Sequence, residues 1–130
     1  MGASKIAQRV VARFLNTAKV EFPEGAVPLG SDGQRVYKDF LYLIGRTNID
    51  KDKLEWDYPA LDVVLARMDA KEPVAQDEAK DALDDFDKLA KDYEDENLIS
   101  WRAADVFRAK LNRLFRSEGG FKIAMDLKGR

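Results

Sequence analysis

The residues of this chain that could do chemistry are carboxylates and basic side chains. Acids crowd residues 77–96, "DEAKDALDDFDKLAKDYEDE", and paired carboxylates can act as general acid and base where a cleft splits their pKa values. No pair in this stretch stands in an apolar surrounding. Calcium chemistry needs six to eight oxygens gathered by a folded loop with a glycine at its sharp turn. The stretch has no glycine and reads as one helix, and "NIDKDKLEWD" lacks both the glycine and the closing glutamate. The acids therefore read as a solvated helix face, with Asp84–Lys88 and Asp87–Lys91 in the favourable i to i+4 order.

Basic residues form two further sets. Lys5, Arg9 and Arg13 recur every four residues, which puts their charges on one ridge of a helix. Arg102, Lys110, Arg113 and Arg116 suggest a second ridge near the C-terminus, with Arg108 beside it. Such ridges can follow phosphates, and these seven residues are the candidate contacts to an anionic partner. An isoelectric point near 5.3 opposes that reading, because nucleic-acid-binding domains are basic as a rule.

Composition removes other chemistries. There is no histidine and no cysteine, hence no imidazole-based triad, no thiol nucleophile, no Cys/His zinc site and no disulfide. "PLGSDGQ" has two glycines but no Lys-Ser or Lys-Thr after them, so it reads as a turn rather than a phosphate loop. No cofactor or metal is expected, and the chain reads as a non-enzyme.

The elements that would position these residues are helical. Ile6, Val10, Phe14 and Leu15 make an apolar stripe over residues 4–19, behind a Ser4 cap. This reads as a packed basic amphipathic helix rather than an address label. Prolines and glycines then predict an extended loop over 20–33. A second helix starts at Ser31 or Asp32, with Ser31 and Gln34 as a capping box, and ends at Gly45. The third has Asp57 as cap, Pro59 in its first turn, and Leu61, Val64, Leu65 and Met68 inward, ending near Ala70. Pro73 opens the fourth, whose stripe is Ala75, Ala79, Ala82, Leu83, Phe86, Leu89, Ala90 and Tyr93. Ser100 caps the fifth, with Trp101, Ala104, Phe107, Leu111, Leu114 and Phe115 inward. Tyr42 and Tyr58 fall off the stripes and are candidates for an interface. After Gly119-Gly120, alternation of Phe121, Ile123, Met125 and Leu127 predicts a strand-like arm that needs a partner, with the 20–29 loop one choice.

The expected fold is all-α: one domain over 1–130, an irregular bundle of about five helices with an extended loop at 20–33 and a C-terminal arm at 120–130. Charge is laid out in blocks: +4 over 1–20, −4 over 21–70, −7 over 71–97 and +5 over 98–130, within a net charge of −2. No apolar run approaches the ~18–20 residues of a membrane span. Together these features point to a soluble, non-secreted protein of the cytoplasm, or of a virion and its host's cytoplasm. Its expected role is protein–protein interaction or assembly, as an accessory or structural component of a larger, even viral, complex. The partner is another protein or a second copy. The alternative is a nucleic-acid-binding accessory using the two basic ridges.

Overall fold

A computed structural model describes residues 22–46 and 56–123. The expected opening helix with Lys5, Arg9 and Arg13, most of the 46–55 connector and the arm beyond Ile123 lie outside the described residues. Within them the chain runs β1 (Val27–Pro28), α1 (Gly30–Arg46), α2 (Pro59–Ala70), β2 (Pro73–Val74), α3 (Gln76–Asp95) and α4 (Trp101–Ser117). Four helices stand where the sequence led to an expectation of about five, the remaining one being the segment at 4–19.

Successive helices are antiparallel neighbours. α1 packs on α2 and α4, and α3 packs on α2 and α4, closing an up-down-up-down bundle. The helices enclose the apolar stripes: Phe40, Leu61, Val64, Leu65, Ala79, Ala82, Phe86, Leu89, Leu111 and Phe115 are all fully buried. Phe40, Phe86 and Phe107 meet at the centre, with ring centroids 5.1–6.5 Å apart, and join α1, α3 and α4.

Several helix starts differ from expectation, each for a reason lying elsewhere in the chain. α1 begins at Gly30, inside the expected 20–33 loop, because buried Leu29 offers its carbonyl to Gly33 N–H at 3.2 Å. The Ser31–Gln34 box does not form; the Gln34 amide donates instead to the Asp69 carbonyl at 2.7 Å, at the end of α2. α1 also runs through Gly45 to Arg46. Pro73 does not open a helix. It pairs with Pro28, and Val74 with Val27, in a two-residue antiparallel ladder that places Val74 in the core. α3 starts only at Gln76, where Glu78 reaches back to accept the Ala75 N–H at 3.0 Å. The expected ends are found elsewhere: Pro59 opens α2, Lys71 closes it in a left-handed conformation (φ 56°), and Ser100 Oγ accepts the Ala103 N–H at 3.1 Å.

The loop before α1 does pair as a strand, with β2; the arm beyond Ile123 lies outside the described residues. Residues 119–123 form no strand. They turn back so that Phe121 packs beside Phe115, ring centroids 6.4 Å apart.

Candidate functional site

The acidic helix α3 exposes Asp77, Asp81, Asp84 and Asp95 to solvent, and four of its other acids make tertiary contacts. Asp85 Oδ2 accepts the Ala60 and Leu61 N–H groups at 2.8 and 3.1 Å. It thereby caps the N-terminus of α2, a role the sequence assigned to Asp57. Free N–H groups and the positive end of the helix dipole favour a carboxylate there. Asp57 lies instead 3.8 Å from the Lys88 ammonium. Asp92 Oδ2 accepts the Tyr58 hydroxyl at 2.7 Å. Asp87 Oδ1 holds Arg108 Nε at 2.7 Å. Glu78 holds Arg67, whose guanidinium also stacks 5.3 Å over the Phe22 ring. The expected Asp87–Lys91 pair is thus replaced by a contact to α4.

These bonds set the tyrosines' acidity. Burial, then the bond to Asp92, pushes the Tyr58 hydroxyl far above its ordinary value. Burial and the Asp92 charge push Tyr93 up to about 12. Burial, then the Asp69 charge, raises Tyr37. Tyr58 is a core residue and not an interface one. No group of three or more acidic residues among those described is arranged to hold a metal ion. Glu78, Asp85, Asp87 and Asp92 of α3 turn to backbone N–H groups, arginines or a phenol.

The four C-terminal cations, Arg102, Lys110, Arg113 and Arg116, are all exposed on α4. Residues three and four apart share a helix face, and α4 is flanked on both sides. Ala103, Val106 and Lys110 line the flank toward α1, where Lys110 Nζ lies 3.4 Å from Asp39 Oδ2. Arg113 and Arg116 line the opposite flank, with Asp105, Arg108 and Lys122. Arg102 stands at the helix start, 5.8 Å over the ring of Trp101. Of these four, Lys110 has Asp39 as its neighbour, and Arg108 beside them is held by Asp87.

Two concave surfaces result. Between α1 and α4 lies a groove of about 440 Å³ whose walls include Tyr42, Leu43, Leu98 and Val106, with the Asp39–Lys110 pair on its rim. Tyr42 is 65% exposed and Val106 53%. The other large apolar side chain exposed among the described residues is Trp101, at 58%, which the sequence placed inward. As first residue of α4 it precedes the packed turns. On the opposite flank, a groove of about 980 Å³ runs between α4 and the chain returning through Phe121 and Lys122. Sequence reasoning missed Val106 and Lys122. Val106 carried a signal, being an apolar residue off the buried stripe; Lys122 carried none, since its place depends on the turn before it.

A comparison of the chain with protein-family models, curated proteins and solved structures finds no match. Function is therefore read from the surfaces themselves. No helix of the described residues is long and apolar enough to cross a membrane.

Proposed function

We propose that this protein is a non-enzymatic assembly module that binds a second copy of itself through the α1–α4 groove. The observation that carries this reading is the placement of Tyr42 and Val106, both more than half exposed, on facing walls of one apolar groove. Exposed apolar side chains scattered singly are ordinary; gathered in a groove they mark an interaction surface. The rim supports a second copy as partner. Asp39 and Lys110 are half-exposed neighbours of opposite charge, so two copies related by a two-fold axis exchange them without leaving a charge unpaired. A non-enzymatic role agrees with the carboxylates of α3 being engaged in holding helices together.

Light scattering across a range of protein concentrations tests the proposal. The wild-type mass rises from monomer to dimer, and Tyr42→Glu with Val106→Glu stays monomeric with an unchanged helical spectrum. A wild type monomeric at every concentration would remove self-assembly.

The nucleic-acid reading keeps a narrower support. Of its α4 residues, Arg102, Arg113 and Arg116 are exposed, while Lys110 has Asp39 as its neighbour.

A further inference from the structure

Three cations that make no ion pair among the described residues gather at the C-terminal end of α4. Arg113 and Arg116 line the larger groove from the helix, and Lys122 lines it from the returning chain. Arg108, deeper along the same flank, is held by Asp87. Asp105 is the carboxylate among the described lining residues, so the lining is positive in a chain whose net charge is −2.

Lys122 reaches this place through a built turn. A Cβ on Gly119 would fall 2.6 Å from the Phe115 carbonyl oxygen and 2.7 Å from the Phe121 ring, so only glycine fits. Gly120 adopts φ +66° and reverses the chain. Phe121 then inserts into the core, and the Lys122 N–H donates to Gln76 Oε1 at 3.0 Å, at the start of α3. The backbone is fixed on both sides of the lysine. Like charges repel, and a fold that returns a lysine toward two arginines raises that repulsion unless an anion relieves it.

The shape narrows the ligand. A duplex displays phosphates along a rod and needs an extended stripe of cations, whereas Arg113, Arg116 and Lys122 gather round one concave site. A concave site of about 980 Å³ with Phe121 and Ile123 in its wall takes a compact molecule. Two arginines three residues apart present planar forks that match phosphate oxygens, and a lysine adds a point charge between them. We infer that this groove binds a compact small molecule bearing several phosphate groups, held by Arg113 and Arg116 from α4 and by Lys122 from the returning chain. The site lies on the flank of α4 opposite the proposed self-association groove, so the two stand or fall separately.

Calorimetric titration of the full chain with tripolyphosphate tests it, with orthophosphate, oligo-aspartate and a single-stranded oligonucleotide as comparators. The titrations are run at about 20 mM and about 150 mM salt, where screening lengths differ enough to expose purely diffuse attraction. Tripolyphosphate is expected to saturate one site at both salts. Arg116→Gln and Lys122→Gln each weaken it about tenfold, as loss of one charge-assisted contact does. Lys110→Gln, on the other flank, leaves it unchanged. In the wild type, tripolyphosphate shifts the backbone amide resonances of Arg113, Arg116 and Lys122, a readout that needs no variant to fold. Absence of binding at the lower salt, wild-type affinity in both glutamine variants, or amide shifts confined to other surfaces overturns the inference. Tighter binding of oligo-aspartate or of the oligonucleotide overturns it too, and assigns the groove to an acidic protein segment or to nucleic acid.

Discussion

Asp92 takes the Tyr58 hydroxyl at 2.7 Å, and that bond ties the start of α2 to the last turns of α3. A phenol in this place resists ionising, because burial removes the water a phenolate needs and Asp92 would face it as a second negative charge. Tyr93, buried near the same carboxylate, is pushed up to about 12. The consequence for stability has a definite sign. In the unfolded chain both phenols titrate at the ordinary 10.0. Above that pH the unfolded state binds fewer protons than the folded one, so stability falls as pH rises. The contribution is whole below pH 10 and is lost through the range up to about 12 for Tyr93, with Tyr58 acting in the same direction. Urea midpoints measured along a pH series are expected to hold level up to about pH 10 and then drop steeply. Tyr58→Phe flattens that drop. It also costs about 1–3 kcal/mol at neutral pH, because a hydrogen bond to a charged acceptor is lost. Midpoints that stay constant up to pH 12 would show that the phenols ionise without opposition.

Among the elements, the turn after α4 has the least room for change. Gly119→Ala sets a methyl against the Phe115 carbonyl and the Phe121 ring, so either the last turn of α4 or the ring must shift. Such overpacking costs about 1–3 kcal/mol, read from denaturant midpoints. Gly45→Ala is its control: it adds a methyl to open space within α1, where alanine is the better helix former. Equal midpoints for the two variants would refute the packing argument. This turn also shows where sequence reading reaches its limit. Gly119-Gly120 announced the end of α4, and the period-3.6 stripes of α3 and α4 announced which residues are buried, Trp101 excepted. Those signals are local. The Asp85 cap joins residues 24 and 25 apart, and the β1–β2 ladder joins Val27 to Val74. Helical periodicity assigns a residue to a flank but does not say which neighbour stands there. For that reason the partners of Glu78, Asp85, Asp87 and Asp92, and the Asp39 neighbour of Lys110, were not legible. Of the candidate site, Lys110, Arg113 and Arg116 were legible and Lys122 was not. Nor was their division between two grooves.

Across the whole molecule, the charge blocks and the core solve one problem together. Acids of α3 leave the solvent face sideways: Glu78 and Asp85 to α2, Asp87 to α4, Asp92 to Tyr58. Each contact fixes the helix against a different neighbour, while the aromatic centre fixes its depth. Phe86 stacks against Phe40 and Phe107, which belong to α1 and α4, so three helices share one packing joint. Because α2 joins α3 through Asp85 and Glu78, loosening that joint frees all four helices at once. Phe86→Ala is expected to cost about 3–5 kcal/mol, a large part of the ~5–15 kcal/mol that holds a domain of this size. The loss must appear as one transition. Trp56 reports it locally, since its ring lies 6.3 Å from Phe40 and 4.9 Å from Tyr58, and far-ultraviolet dichroism reports helix throughout. Trp101→Phe removes the second indole signal at an exposed site and leaves stability within about 0.5 kcal/mol. In that background, fluorescence and dichroism midpoints fall together when Phe86 is cut back. Midpoints that separate would mean that the helix pairs unfold independently, and that the Phe40–Phe86–Phe107 joint does not couple them.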